Sequence, residues 1–358
     1  MEKELVLKII KNVIKKENTV IKIDSEDEKE IIDIFITQNL SSYLYLATKD
    51  TKYLKYYILS TRFNIDMNNN MKKVIETFNE KKINHIIMKG YDTQHLYYDK
   101  ALRVMGDVDI YVDPLKETLE TKALENLGYK KGKRSTTHLE FSKGKQRIEL
   151  HYNLFSHEEK IDNFFIEPFN HSHHVSEHTY KMNKDYYLAY LLAHYSKHFI
   201  QGGSGLRSLI DIYLLLENED YDIKYMREYL KEIELDKFFD TVLDTINYIF
   251  ETKYATVFKG NPKILIDYCL KAGVHGFREG NENYLNEMHA LRENKIKFVF
   301  KRIFLPKNEI RNIYENRQPL FILYIRRILK LIFKRKRKGI KVLTSNSRGF
   351  LDFTSLGL

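Results

Sequence analysis

The spacing of hydrophobic positions changes twice along the chain. From residue 2 to about residue 80, apolar residues recur at helical intervals. The three asparagines Asn68–Asn70 are expected to interrupt this stretch, because asparagine favours turns. After about residue 181 the helical interval returns, and "DYYLAYLLAHYSKHF" and "LRSLIDIYLLLEN" predict amphipathic helices.

Between these helical stretches, short strand patterns alternate with helical ones. The predicted elements are strands at 84–88 and 108–112, a helix at 116–127, and a hairpin of 138–142 and 146–151 around Gly144. This alternation predicts an α+β fold, with a small mixed-sheet core flanked by N-terminal helices and a C-terminal helical domain. We therefore expect a helical region at 1–70, the sheet domain at 71–180, helices at 181–335 and a loosely ordered basic tail at 336–358.

Composition narrows the class of protein. The 358 residues carry a net charge of +10, and nine positive charges fall between Arg326 and Lys341 without an acid among them. The single cysteine, Cys269, excludes an intramolecular disulfide, which is typical of a reducing compartment. No segment approaches the roughly 18 apolar residues of a membrane-spanning helix, and the first residues lack the apolar core of a signal peptide. We expect a cytoplasmic protein.

The basic C-terminal helix leaves two interpretations open. In "PLFILYIRRILKLIFKRKRK" the basic residues gather toward one helical face, which would suit contact with an anionic membrane or with nucleic acid. The other interpretation is a last helix packed on the domain with a solvated cationic end. No DNA- or RNA-reading motif accompanies it.

The chemistry-bearing residues concentrate around the second predicted strand. Asp107 and Asp109 stand two residues apart and face the same side of a strand, opposite Val108 and Ile110. On the strand at 146–151, Glu149 shares a face with Arg147 and His151. If the two strands are neighbours, three carboxylates meet. Such a set can hold two Mg²⁺ or Mn²⁺ ions about 3.5–4 Å apart, which activate a hydroxyl and neutralise a phosphate under attack.

Upstream residues are compatible with phosphate binding. Lys89 and Gly90 follow the first predicted strand, where a glycine turn opening a helix presents backbone N–H groups. Lys89 and Arg103 can each contact an oxygen of a triphosphate. We therefore predict a triphosphate site at Lys89, Gly90 and Arg103.

These residues carry a resemblance to a known family. The segments "MKGYDTQHLYYDKALRVMGDVDIYV" and "IELHYNLF" resemble a bacterial family of uncharacterised nucleotidyltransferases within the DNA polymerase β-type superfamily. The resemblance covers roughly residues 70–330. It implies that the sheet domain is the catalytic domain, that Asp107 and Asp109 bind the metals, that Glu149 completes the site, and that Lys89, Gly90 and Arg103 handle the triphosphate. Tyr91 departs from the superfamily, which usually has serine there.

The histidines permit a rival interpretation. His194 and His198 lie four residues apart on one helix face and, with Asp211, have the donor types that zinc prefers. The H-E-x-x-H signature of zinc hydrolases is absent. The alternatives are a hydrogen-bonded core pair, or a pair lining the cleft opposite the carboxylates, with Arg207 as a phosphate partner and Asp211 orienting Arg207 or a histidine.

Two further histidine features have less specific interpretations. His151 either orients an acceptor or packs. The run "HSHHVSEH" at 171–178 fits no metal-binding spacing and predicts an exposed polar strand or loop.

The leading hypothesis is a metal-dependent nucleotidyltransferase. It moves a nucleoside monophosphate from an NTP to a hydroxyl of a small molecule, sugar, protein or RNA and releases pyrophosphate. The alternatives are a non-enzymatic nucleotide-binding or scaffold module of the same fold, and a zinc hydrolase using His194, His198 and Asp211. The sequence indicates neither the nucleobase, the acceptor nor the oligomeric state.

Overall fold

A computed structural model of the protein describes residues 2–112, 117–156, 158–274, 310, 319–326 and 353–358. The helices are α1 (Glu2–Ile14), α2 (Glu28–Thr37), α3 (Ser42–Thr48), α4 (Leu54–Glu80), α5 (Lys89–Thr93), α6 (Glu117–Asn126), α7 (Glu159–Phe164), α8 (Lys184–Gly202), α9 (Leu206–Asn218), α10 (Ile223–Lys231), α11 (Asp236–Phe250) and α12 (Pro262–Ala272). The strands are β1 (His85–Met88), β2 (Val108–Val112), β3 (Lys130–Arg134), β4 (His138–Lys143), β5 (Gln146–His151), β6 (Ser172–Ser176) and β7 (Thr179–Met182).

The strands form one seven-stranded mixed sheet in the order β3-β4-β5-β2-β1-β7-β6. Strand β2 lies at its centre, antiparallel to β1 and parallel to β5. Helices precede and follow the sheet, so the predicted α+β fold with a mixed-sheet core is confirmed. The division into four domains stays a prediction.

The two faces of the sheet pack against different helices. Val108, Ile110 and Val112 of β2 belong to a hydrophobic cluster with residues of α4 and α6. Tyr111 points to the other face and joins a larger cluster built from the N-terminal helices and from α8, α9, α11 and α12. Asp109 shares this second face because side chains alternate along a strand. The predicted orientation of β2 is therefore confirmed.

Helices that are far apart in the sequence pack together. Ile10 and Val13 of α1 lie in the same cluster as Ile246 and Phe250 of α11. Lys15, just after α1, donates a hydrogen bond to the backbone oxygen of Phe250 at 2.6 Å. The first helix thus depends on one more than 200 residues later in the sequence.

The predicted break at Asn68–Asn70 is wrong, because α4 runs through it without interruption. Its buried residues Met67, Met71, Val74 and Phe78 keep helical spacing across the asparagines. Each asparagine costs at most about 0.7 kcal/mol in helix propensity, and burial of the apolar stripe outweighs that cost.

Other predictions concern the histidine run and the C-terminal end. The run at 171–178 forms the largely exposed strand β6 and its turn, which confirms an exposed polar segment.

The positive charges from Arg327 to Lys341 lie outside the described residues, so contact with a membrane or nucleic acid stays a prediction. In the part of the chain that the structure describes, no helix combines the length and apolar character needed to span a bilayer.

Candidate active site

A cavity of about 700 Å³ lies between the sheet and helices α8 and α9. Every candidate site residue from the sequence lines it: Lys89, Gly90, Arg103, Asp107, Asp109, Glu149, His151, His194, His198, Arg207 and Asp211. The structure therefore brings together residues that are more than 120 positions apart in the chain.

The register of two parallel strands places the central carboxylates. Strand β2 pairs with β5 so that Asp109 lies beside Glu149, as the neighbouring-strand hypothesis requires. Asp109 is buried, with 3% of its surface exposed, whereas Asp107 precedes the strand and is exposed at the cavity edge. The three acids thus run from the cavity floor to its opening.

Asp109 is held by Lys89 and His151. Its Oδ1 accepts hydrogen bonds from Lys89 Nζ and from His151 Nε2, each at 2.7 Å. Burial by itself would raise the pKa of Asp109, but the Lys89 charge and the His151 hydrogen bond lower it far below its usual range. Burial likewise favours neutral Lys89, and the Asp109 charge reverses that effect and raises the Lys89 pKa. The pair is ionised throughout the physiological range.

Asp107 and Glu149 lie in contrasting environments. Partial loss of hydration between the cavity walls, followed by repulsion from Asp109, raises the pKa of Asp107. Asp107 makes no hydrogen bond or ion pair with another described residue. For Glu149, burial raises the pKa, but the hydrogen bond from His151 brings the net pKa below its usual value. An unpartnered acid crowded by two others fits a bound divalent cation, since carboxylate oxygens are the ligands of Mg²⁺ and Mn²⁺.

The backbone after β1 places Lys89 beneath the carboxylates. Lys89 has a left-handed conformation, with φ of +50°, and its carbonyl accepts a hydrogen bond from the Tyr187 hydroxyl at 3.4 Å. Gly90 is required by a close approach: a Cβ there would lie 2.9 Å from Nη2 of Arg103. The Lys-Gly pair therefore reflects local packing as well as chemistry.

Arg103 is anchored to helix α9. Its Nε and Nη2 donate to the carboxylate of Asp211 at 2.8 and 2.7 Å, and the Tyr97 hydroxyl donates to the same carboxylate at 2.7 Å. Asp211 thus contacts Arg103 rather than Arg207 or a histidine, which corrects the expected pairing. Arg207 instead donates to the Val104 carbonyl at 2.8 Å. Burial and the neighbouring Arg103 lower the Arg207 pKa to about 10, so it stays charged at neutral pH.

The histidine pair faces the carboxylates across the cavity. Nε2 of His194 and Nε2 of His198 lie 2.9 Å apart. Burial, then the charge of Lys89, lowers the pKa of both rings, to about 3 for His198. Asp211 is occupied by Arg103 and Tyr97. Among the described residues, the group with metal-binding spacing is a different one, His138 with Glu149 and His151, which weakens the zinc hydrolase hypothesis.

The sequence analysis did not identify the titratable cavity residues His138, Lys145 and Lys197. His138 pairs across the β4–β5 hairpin with His151, and its Nε2 lies 3.6 Å from Glu149 Oε1. Burial lowers the pKa of His138 to about 4. The hairpin prediction contained the signal for His138, because a two-residue turn at 144–145 pairs residue 143 with 146 and hence 138 with 151.

Comparison with known proteins gives one match. A family model described as "uncharacterised nucleotidyltransferase" matches residues 25–251, more than half of the chain. The match includes the whole sheet and helices α8 to α11. No curated protein and no solved structure matches the chain.

Proposed function

The chain belongs to the family of uncharacterised nucleotidyltransferases, and we propose that it transfers a nucleoside monophosphate from an NTP to a hydroxyl acceptor and releases pyrophosphate. The observation that carries the proposal is the pairing of Asp109 with Glu149 on parallel neighbouring strands. Asp107 stands at the edge of the same cavity and Lys89 beneath it.

Asp107, Asp109 and Glu149 are the residues that would hold Mg²⁺ or Mn²⁺. Two such ions, when bound, lower the pKa of an attacking hydroxyl and neutralise negative charge on the phosphate. Lys89 would balance the Asp109 charge while the site holds no ion. Its ammonium is close enough to the metal-binding acids to contact a phosphate oxygen once the donor is bound.

The opposite wall supplies further positive charge. Arg207 and Lys197 line the cavity and form no ion pair with another described residue. They are therefore available for phosphate oxygens of the donor or for an anionic group of the acceptor. Two of the Arg103 nitrogens are taken by Asp211, so we assign Arg103 a positioning role behind Gly90 and the direct phosphate contact to Lys89 and Arg207.

Glu149 is suited to receive the acceptor proton. Its side chain is 25% exposed, against 4% for Asp109, so an acceptor hydroxyl can approach it. His151 lies 3.5 Å from its Oε2 and favours the ionised form, which a general base requires.

Label transfer tests the proposal. The purified protein is incubated with Mg²⁺ or Mn²⁺, host lysate and each α-labelled NTP in turn. We expect one NTP to label a lysate component, whose size indicates whether the acceptor is a small molecule, sugar, protein or RNA. Asp109→Ala should abolish labelling, because it removes a carboxylate that would hold the ions.

The matched control is Asp66→Ala, which removes an exposed aspartate of α4 outside the cavity. It should label as the wild type does. Labelling that persists in folded Asp109→Ala would refute the assignment of the carboxylates. NTP binding without pyrophosphate release in any lysate would instead favour the non-enzymatic nucleotide-binding module.

A further inference from the structure

We propose that His138, Glu149 and His151 form a binding site for a divalent transition-metal ion, Mn²⁺ or Zn²⁺. This inference deepens the proposed function, because Glu149 is common to both sites, but the binding itself does not depend on nucleotidyl transfer. Two imidazoles and one carboxylate are donors typical of these ions, whereas Mg²⁺ prefers oxygen alone.

The three side chains already converge. One ligand-type atom from each lies within 4.8 Å of the other two. Glu149 lies between the imidazoles: Oε1 is 3.6 Å from Nε2 of His138, and Oε2 is 3.5 Å from Nε2 of His151. The ring centroids of the two histidines are 5.0 Å apart. A small inward movement would bring all three donors to one ion.

Both rings are oriented from behind, as in established metal sites. Nδ1 of His138 lies 3.1 Å from the hydroxyl oxygens of Ser135 and Thr137. Nδ1 of His151 contacts the backbone oxygen of Asn153 at 3.4 Å. Partners on the second nitrogen fix the ring and leave the first nitrogen for the ion. In each histidine the nitrogen that would bind the ion is therefore Nε2, which faces Glu149; Nε2 of His151 also hydrogen-bonds Asp109 Oδ1.

The hairpin supplies rigidity. His138 and His151 are directly paired residues of β4 and β5, and Glu149 pairs with Glu140 on the same ladder. Because backbone hydrogen bonds hold both strands, the donors are set on a rigid scaffold rather than on loops. The Nε2 proton of His151, which now bonds Asp109 Oδ1 at 2.7 Å, would leave to solvent as the ion binds.

Mn²⁺ binding to the full chain tests the site without nucleotide. The protein is stripped with chelator and titrated with Mn²⁺, and the bound ion is examined by pulsed electron paramagnetic resonance. We expect coupling to directly bonded imidazole nitrogen in the unmodified protein. His138→Gln should weaken binding at least about tenfold and reduce the nitrogen coupling.

Two variants serve as controls. His173→Gln changes an exposed histidine of β6 and should bind Mn²⁺ as the wild type does. Asp107→Asn should abolish label transfer but keep the nitrogen-coupled ion, because Asp107 is not among the three ligands.

The wild-type spectrum tests the proposed histidine ligands even if His138→Gln does not fold. A bound ion without nitrogen coupling would overturn the proposal, and so would equal affinity in wild type and folded His138→Gln. Either result would leave nucleotidyl transfer standing, because that activity is decided separately by Asp109→Ala.

Discussion

Gly90 is the site residue whose surroundings leave no room for a larger side chain. It lies between the left-handed Lys89 and the Arg103 guanidinium. A long arginine side chain usually yields to a new neighbour, but this one is fixed by three hydrogen bonds to Asp211. A methyl group at position 90 therefore has no low-energy way to be accommodated.

We expect Gly90→Ala to lower the free energy of unfolding by about 1–3 kcal/mol, the range for overpacking a filled site. Urea denaturation measures the change. Gly106→Ala is the control, because a Cβ at that position meets no atom within 4 Å. Equal stability of the two variants would contradict the described contact between Gly90 and Arg103.

Among individual residues, the grouping of the three carboxylates was the feature best predicted from the sequence. Asp107, Asp109 and Glu149 could be placed in one site because strand alternation fixes which residues share a face. The partner of Asp211 could not be predicted, since it depends on how α9 packs over the loop before β2. Such a contact arises from tertiary structure and leaves no periodic pattern.

Among the elements, α4 and the β4–β5 hairpin show why some boundaries were predictable. The hairpin was predicted with nearly correct ends because turn chemistry at Gly144, with φ of +60°, agrees with the alternation of its strands. For α4, the local preference of three asparagines disagreed with the buried stripe from Met67 to Phe78. Packing determined the outcome, and local propensity was the weaker guide.

An exposed asparagine tests the continuity of α4. Asn69 is exposed on this helix, so Asn69→Ala should raise the free energy of unfolding by about 0.5 kcal/mol through helix propensity alone. Asn69→Gly should lower it. Thermal or urea unfolding of the three proteins should show stability decreasing in the order Ala, Asn, Gly at position 69. The reverse order of stability would indicate that the helix is broken there.

For the molecule as a whole, the ion pair of Arg103 and Asp211 connects the sheet to the helical layer. Arg103 leads into β2, Asp211 lies in α9, and both side chains are buried, at 6% and 7% exposure. This ion pair therefore joins the sheet wall of the cavity to its helical wall. Removing one partner of such a buried pair strongly destabilises the fold, because the other charge is left buried without a counter-charge.

Asp211→Asn should lower the free energy of unfolding by about 3–5 kcal/mol, because it leaves the buried Arg103 charge without a counter-charge. The double variant Arg103→Met with Asp211→Asn should recover part of the loss, since no unpaired charge remains. Denaturant unfolding of the wild type and both variants measures these changes. A double variant less stable than the single one would argue against the pairing as the cause.

The contact between α1 and α11 has a consequence for the order of folding on the ribosome. Synthesis adds roughly 5–20 residues per second, so on the order of 10–50 s separate the completion of α1 from that of α11. During that interval the apolar face of α1, which includes Ile10 and Val13, lacks its final partner. Until then α1 has the earlier helices α2 and α3 to pack against, so the nascent chain leaves part of this apolar face uncovered until residue 250 has been added.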